Sequence, residues 1–253
     1  MLTDSKIFKG FLSGNALKII AAVCMVCDHV GYIFNPIIEN ADAVYFLRAV
    51  GRIAMPVFAF MIAEGFRYTR NRKKYFLTIF LLGMICNAVY YVAMQQIYIC
   101  ILTTFSFSVA ILYAYDGMAD SLKNKDGNFF FFFVAFAAAA VAAVFTDVFI
   151  KEKGGVFDYG WVGALLPLFA YVIKREKIRL IPFAIGLAGA AAYYFFTKHN
   201  SVFWFSLFSL ILLFFYNGQR GKYRMKYFFY LFYPVHLLVL EGLFMLVIML
   251  FYA

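Results

Sequence analysis

Charge is what this sequence has least of. Asp, Glu, Lys and Arg make up 14% of its 253 residues, where a soluble domain carries about 25%. Hydrophobic residues fill 65% of the chain and aromatic ones 22%, which excludes an ordinary water-soluble domain. The apolar stretches are continuous rather than alternating with polar residues, which excludes a transmembrane β-barrel. Cysteine and histidine are scarce, at four and three copies. Cys24 and Cys27 form a Cys-x-x-Cys beside Asp28 and His29, but no second cysteine pair follows. A structural zinc site takes four such ligands, so no metal is expected. The cysteines all lie in apolar runs and read as small hydrophobes.

What the chain has instead is a series of apolar runs, each near the ~20 residues a helix needs to cross a bilayer. In lipid every backbone amide must be satisfied internally, and a continuous apolar run does this as a helix. The sequence therefore predicts an all-α, polytopic membrane protein, with residues 1–253 forming a single transmembrane helical domain. Nine spans are expected, at 14–35, 43–66, 75–94, 97–115, 129–149, 160–174, 179–196, 201–217 and 226–252. The fourth is thinned by Thr103, Thr104, Ser106 and Ser108, and the sixth is short. The start, with Lys6 and Lys9 ahead of an apolar run, resembles a signal peptide but offers no small-residue cleavage site, so it reads as an uncleaved first span. The run FFFFFVAFAAAAVAAVF at 129–145 reads as a lipid-facing or packing helix.

The net charge of +10 invites a nucleic-acid reading, but its placement argues otherwise. Alternate connecting segments beginning with the N-terminus hold 17 Lys and Arg, and the intervening ones hold 3. That bias follows the positive-inside rule and predicts a cytoplasmic N-terminus and an extracytoplasmic C-terminus. No solvated basic domain remains to hold a nucleic acid. The partner this pattern implies is the lipid bilayer.

Against this background, Asp28, His29, Arg48, Arg52 and Glu64 stand out, because all five fall in the first two spans. One charged side chain near the bilayer centre costs roughly 2.5–3.5 kcal/mol on insertion scales, so such groups pair, line a watery cavity or do chemistry. Arg48 and Arg52, four residues apart, share a helix face. Antiparallel neighbours joined by a short loop bring them to the depth of Asp28 and His29, in the outer half of the membrane. Asp28 and His29 are adjacent and point about 100° apart on a helix, so Asp28 is expected to reach an arginine while His29 takes another heading. Pro56 lacks the N–H that would bond the carbonyl of Arg52, which loosens the helix there. A purely structural Asp–Arg lock accounts for Asp28, but not for His29 or the second arginine. Glu64 is expected near the inner surface, facing the cluster Arg67, Arg70, Arg72, Lys73 and Lys74. That cluster either orients the chain against anionic lipid or binds an anionic cosubstrate. In the last span Tyr233 and His236 share a face beside Pro234, and an intramembrane histidine is a functional candidate. Asn87 and Asp147 are weaker candidates.

The segments ALKIIAAVCMVCDHVGYIF, LRAVGRIAMPVFAFMIAEGFRYTRNRKKY and FYLFYPVHLLVL resemble the TraX family, best known for acetylating the N-terminus of conjugative pilin. The likeness is dense over residues 14–93 and returns at 226–240. The family is itself distantly similar to the acyltransferase-3 group, which moves acyl groups from cytoplasmic acyl-CoA to acceptors outside the membrane. The resemblance implies a membrane acetyltransferase of the bacterial inner membrane with acetyl-CoA as cosubstrate. Its acceptor would be extracytoplasmic, either a pilin-like N-terminal amine or a cell-surface glycan hydroxyl or amine.

On that reading His29 is the general base, since its unperturbed pKa lies near operating pH, and His236 is the alternative base. Asp28 holds an arginine, and Arg48 or Arg52 stabilises charge on the thioester oxygen. Arg67, Arg70, Arg72, Lys73 and Lys74 would bind the phosphates of coenzyme A. Two other readings use the same residues: a proton-coupled transporter or flippase, which predicts inverted repeats not evident in the two halves, and a membrane scaffold for surface-appendage assembly.

Overall fold

Helix boundaries in this chain follow from its few polar and breaker residues. The structure, a computed structural model, describes residues 10–125, 127–175, 177–223 and 225–251. Lys6, Lys9 and Arg224, counted above among the cytoplasmic basic residues, lie outside it. The helices are α1 (Gly14–Ile33), α2 (Ala41–Gly51), α3 (Ala54–Tyr68), α4 (Arg72–Met94), α5 (Ile101–Asn124), α6 (Phe129–Glu152), α7 (Gly160–Tyr171), α8 (Leu180–Lys198), α9 (Ser209–Phe214) and α10 (Lys226–Phe251). A 3₁₀ segment, Ser201–Phe208, leads into α9, and two short strands, β1 (Tyr98–Ile99) and β2 (Val156–Phe157), pair in parallel. Polar side chains cap the starts: Ser13 Oγ accepts from Ala16 N, Asn40 Oδ1 from Ala43 N and Asn71 Oδ1 from Lys74 N, each satisfying an amide the helix itself leaves open.

Among the described residues, seven helices are long and apolar enough to cross a membrane, with α2 and α3 counting together as Ala41–Tyr68. Seven of the nine expected spans therefore meet that length and composition, and two are shorter apolar helices. Helix α7 has 12 residues, about 18 Å of rise, against a hydrocarbon thickness of about 30 Å. The expected span at 201–217 is also short, at Ser201–Phe214. Hydropathy counts apolar residues, not the length of helix they wind into.

The described residues group into two compact units, whose boundary falls within α3 between Phe58 and Ala59. The second unit, Ala59–Arg175, is built around α5. The polar residues that thin this helix turn inward: Thr104 and Ser108 are fully buried, and Thr103 and Ser106 nearly so. Their hydroxyls return to the backbone, as Ser106 Oγ does to Thr103 O and Ser108 Oγ to Thr104 O. Asn87 is structural here, with Nδ2 donating to Thr103 Oγ1 and Oδ1 accepting from Cys100 N at the start of α5. Asp147 pairs with Lys151 one turn on, at 2.7 Å. The phenylalanine–alanine helix α6 turns most of its surface outward, as a lipid-facing helix does.

The first unit comprises Met1–Phe58 and Glu176–Ala253. Its α1 is pinned at the N-terminus by the 215–223 segment, through Leu12 N to Phe215 O, Gly14 N to Gln219 O and Asn15 Nδ2 to Tyr223 O. Helices α1 and α2 pack most closely where Gly51 meets Asp28. A Cβ built on Gly51 would stand 2.2 Å from the Asp28 Cβ, well inside van der Waals contact. Replacing Gly51 with alanine is therefore expected to force α2 away from α1 and to cost about 1–3 kcal/mol. Thermal unfolding of the purified G51A protein in detergent, with G189A, whose Cβ would meet nothing within 4 Å, as the control, measures it.

Candidate functional site

The site grows out of that close approach. With no side chain at residue 51, the carboxylate of Asp28, which is 8% exposed, lies within reach of α2. Arg52 Nη2 donates to both its oxygens, at 2.6 and 2.9 Å. Arg48 Nη1 lies 3.0 Å from Oδ2 and 3.2 Å from the Asp28 carbonyl. The Arg48 guanidinium also sits over the ring of Tyr32, 5.1 Å from its centroid. The helix breaks at Arg52, as Pro56 requires: α2 ends at Gly51 and α3 restarts at Ala54. The Arg52 amide folds back to the Arg48 and Ala49 carbonyls, which holds its side chain at the break.

His29 points elsewhere and meets a partner the sequence did not foretell. Its ring stands edge-on to that of His236, with centroids 5.0 Å apart and an interplanar angle of 78°. The two candidate bases of the sequence thus occupy one place, where α1 packs on α10. Each is held in the same way: His29 Nδ1 lies 2.8 Å from Met25 O, and His236 Nδ1 lies 2.9 Å from Phe232 O. A carbonyl only accepts, so each Nδ1 carries its proton, which leaves Nε2 with the lone pair whenever the ring is neutral. His236 Nε2 is buried and has no hydrogen-bond partner among the described residues, an exception among buried polar atoms. Phe232 stacks on the His236 ring at 5.0 Å, and the buried Tyr233 lies 5.6 Å from it.

Farther down α1 is a cation that was not among the candidate residues. Lys18 lies eleven residues before His29, about 16 Å along the helix and within about 20° of the same face. It has no ion pair among the described residues; its ammonium sits 5.7 Å from the centre of the Phe229 ring on α10, within electrostatic range of Arg220. The signal was present in the sequence as a lysine inside an apolar run, without an acidic residue one turn away.

The cluster at 67–74 divides. Arg67 Nη2 donates to the Tyr171, Ile173 and Ala170 carbonyls at 2.9–3.4 Å, capping the end of α7. Arg72 pairs with Asp116 at 2.6 Å, and the other oxygen of Asp116 accepts from the Tyr171 hydroxyl at 2.7 Å. These two arginines are committed to the packing of the second unit, while Arg70, Lys73 and Lys74 are exposed. Glu64, expected near the inner membrane surface, is 5% exposed, on the buried face of α3.

A cavity of about 280 Å³ opens beside the Asp28 pair, with Arg48, Arg52, Tyr45 and Asn200 among its lining residues. The arrangement offers a buried ion pair with a pocket beside it and, on the other side of α1, two imidazoles, which is equipment for stabilising negative charge and moving a proton. Substituting Asp28 with alanine would strip both arginines of their shared carboxylate. A loss of about 3–5 kcal/mol is expected, read by thermal unfolding against D28N, which keeps the shape.

No solved structure matches the chain. It is 27% identical over 237 residues, covering 88% of this chain and 92% of the relative, to a protein of Dichelobacter nodosus described as a probable fimbrial assembly protein FimC, serogroup H1. The family described as TraX protein matches residues 13–244, a stretch that takes in Lys18, the Asp28 cluster and His236. The chain belongs to the TraX family.

Proposed function

We propose that this protein is an inner-membrane acetyltransferase that transfers acetyl from cytoplasmic acetyl-CoA to the N-terminal amine of a pilin-like subunit outside the membrane. The observation that carries the reading is the histidine pair, each ring held by its Nδ1, with His29 next in the chain to Asp28 of the arginine cluster. The fimbrial-assembly description of the Dichelobacter relative supports a pilin-like acceptor. The bias of basic residues supports a cytoplasmic N-terminus, which puts Lys18 at the inner end of α1.

Coenzyme A supplies the activated acetyl group when bound. A half-buried lysine with no acidic partner among the described residues, close to an arginine, has the chemistry to meet phosphate oxygens, so Lys18 and Arg220 are assigned to hold its phosphates. Arg67 and Arg72 are withdrawn from that role by their contacts in the second unit. Arg70, Lys73 and Lys74 serve orientation against anionic headgroups. His29 Nε2 accepts the proton that the attacking amine loses, with His236 as its neighbour and the alternative base. Asp28 fixes Arg48 and Arg52, whose guanidinium groups stabilise the negative charge that develops on the carbonyl oxygen.

Purified protein in proteoliposomes, supplied with radiolabelled acetyl-CoA and a pilin N-terminal peptide, should transfer label to the peptide amine. H29A should lower kcat by about 10²–10⁴-fold while remaining folded. Full activity in folded H29A with loss in H236A would move the base to His236, and full activity in both would remove histidine from the mechanism. K18A should raise the KM for acetyl-CoA and leave that for the peptide unchanged.

A further inference from the structure

The cavity beside the ion pair carries information about what is acetylated. Its lining includes Val44, Tyr45, Arg48 and Arg52 on one side, and Asn200 and Val202 from the start of the 3₁₀ segment on the other. At about 280 Å³ it is at the small end of ligand pockets, which run from roughly 300 to 1,000 Å³. A space of that size suits the end of a chain. Both arginines reach it, with side chains 26% and 9% exposed, while Asp28, their carboxylate partner, is not among the lining residues. Asn200, which makes no side-chain cap bond to the 3₁₀ segment, is among the lining residues. Tyr45 and Val202 supply the apolar surface.

We propose that this pocket receives the first residues of the acceptor peptide and selects one whose N-terminal amine is followed closely by an acidic side chain; the acceptor class rests on the acetyltransferase reading above. The selection is electrostatic. Asp28 offsets one of the two guanidinium charges, and the positive charge in excess disfavours a protonated ammonium in their neighbourhood. An N-terminal amine, with an ordinary pKa of about 7.7–8.0, gives up its proton far more readily than a lysine at about 10.4. The field of Arg48 and Arg52 thus delivers an α-amine as the free base and turns lysine side chains away. The same field attracts a carboxylate placed one or two residues on, which Arg48 and the Asn200 amide can bind by charge and hydrogen bonding. Selection of this kind works as much by excluding the wrong charge as by holding the right one.

The sign of the pocket can be measured without acetyl transfer. The full-length N200C protein in nanodiscs, where both faces are open to reagent, is treated with the anionic sulfonatoethyl and the cationic trimethylammonioethyl methanethiosulfonates. Each rate is normalised to that of a free thiol, and the rates of the parent protein are subtracted. The anionic reagent is expected to be favoured by about tenfold or more, with the preference collapsing in R48Q/N200C and at high salt. No modification, or no preference, overturns the proposal. A second arm compares acetyl transfer to Ala-Asp and Ala-Asn N-terminal peptides, with KM expected about tenfold lower for the acidic one. Transfer to both with equal KM overturns the acidic requirement. Anion preference at the introduced thiol without transfer to either peptide supports an anion-binding pocket and counts against the acetyltransferase reading instead.

Discussion

One carboxylate organises the first unit. Asp28 is buried and ionised only at a cost that two guanidinium groups must offset, and Arg48 and Arg52 can do so only if α2 comes against α1 at a glycine. A buried ion pair is weak evidence of net stability, since desolvation consumes much of the Coulombic gain. Its value here is geometric. It sets the register between the two helices, stations both arginines at the wall of the cavity and leaves His29, a hundred degrees around α1, free to face α10. The break after α2 belongs to the same arrangement: without the gap at Arg52 and Ile53, the second arginine would continue along a straight helix.

Much of this was legible from local pattern. The i, i+4 spacing of the arginines, the short connection between the first two spans and the adjacency of Asp28 and His29 were enough to expect an Asp–Arg pair with a histidine on another heading. Spacing is a local property, and it says nothing about which distant helices touch. The approach of His236 to His29 joins residues more than two hundred positions apart, through the packing of α10 on α1. No periodicity encodes that contact, so the two histidines looked like rival bases when they are neighbours. Similarly, the basic run at 67–74 has the composition of a solvated cluster. That two of its arginines cap α7 and pair with Asp116 depends on helices from the other end of the second unit.

The count of spans shows a different boundary of sequence reasoning. Hydropathy registers how much apolar surface must avoid water, and all nine apolar segments are present. It does not register whether a segment winds as one long helix, stops at twelve residues like α7, or tightens into a 3₁₀ turn like Ser201–Phe208. The polar thinning of the fourth segment misled in the opposite sense. Its hydroxyl groups are the mark of a central helix that bonds inward and back upon itself, not of a weak span.

The way the two histidines are held has a consequence for control. Met25 and Phe232 offer their carbonyl oxygens as acceptors to the imidazoles four residues on, the same carbonyls that an unbroken helix assigns to the backbone amides of those residues. Which nitrogen carries the proton therefore depends on the winding of each helix at that carbonyl. A local stretch or bend of α1 at Met25, or of α10 near Pro234, would release the ring and let its tautomer reverse. Membrane thickness or tension acts on helices along their length, so this site could be disarmed from a distance, by deforming the bilayer, with every functional side chain still present.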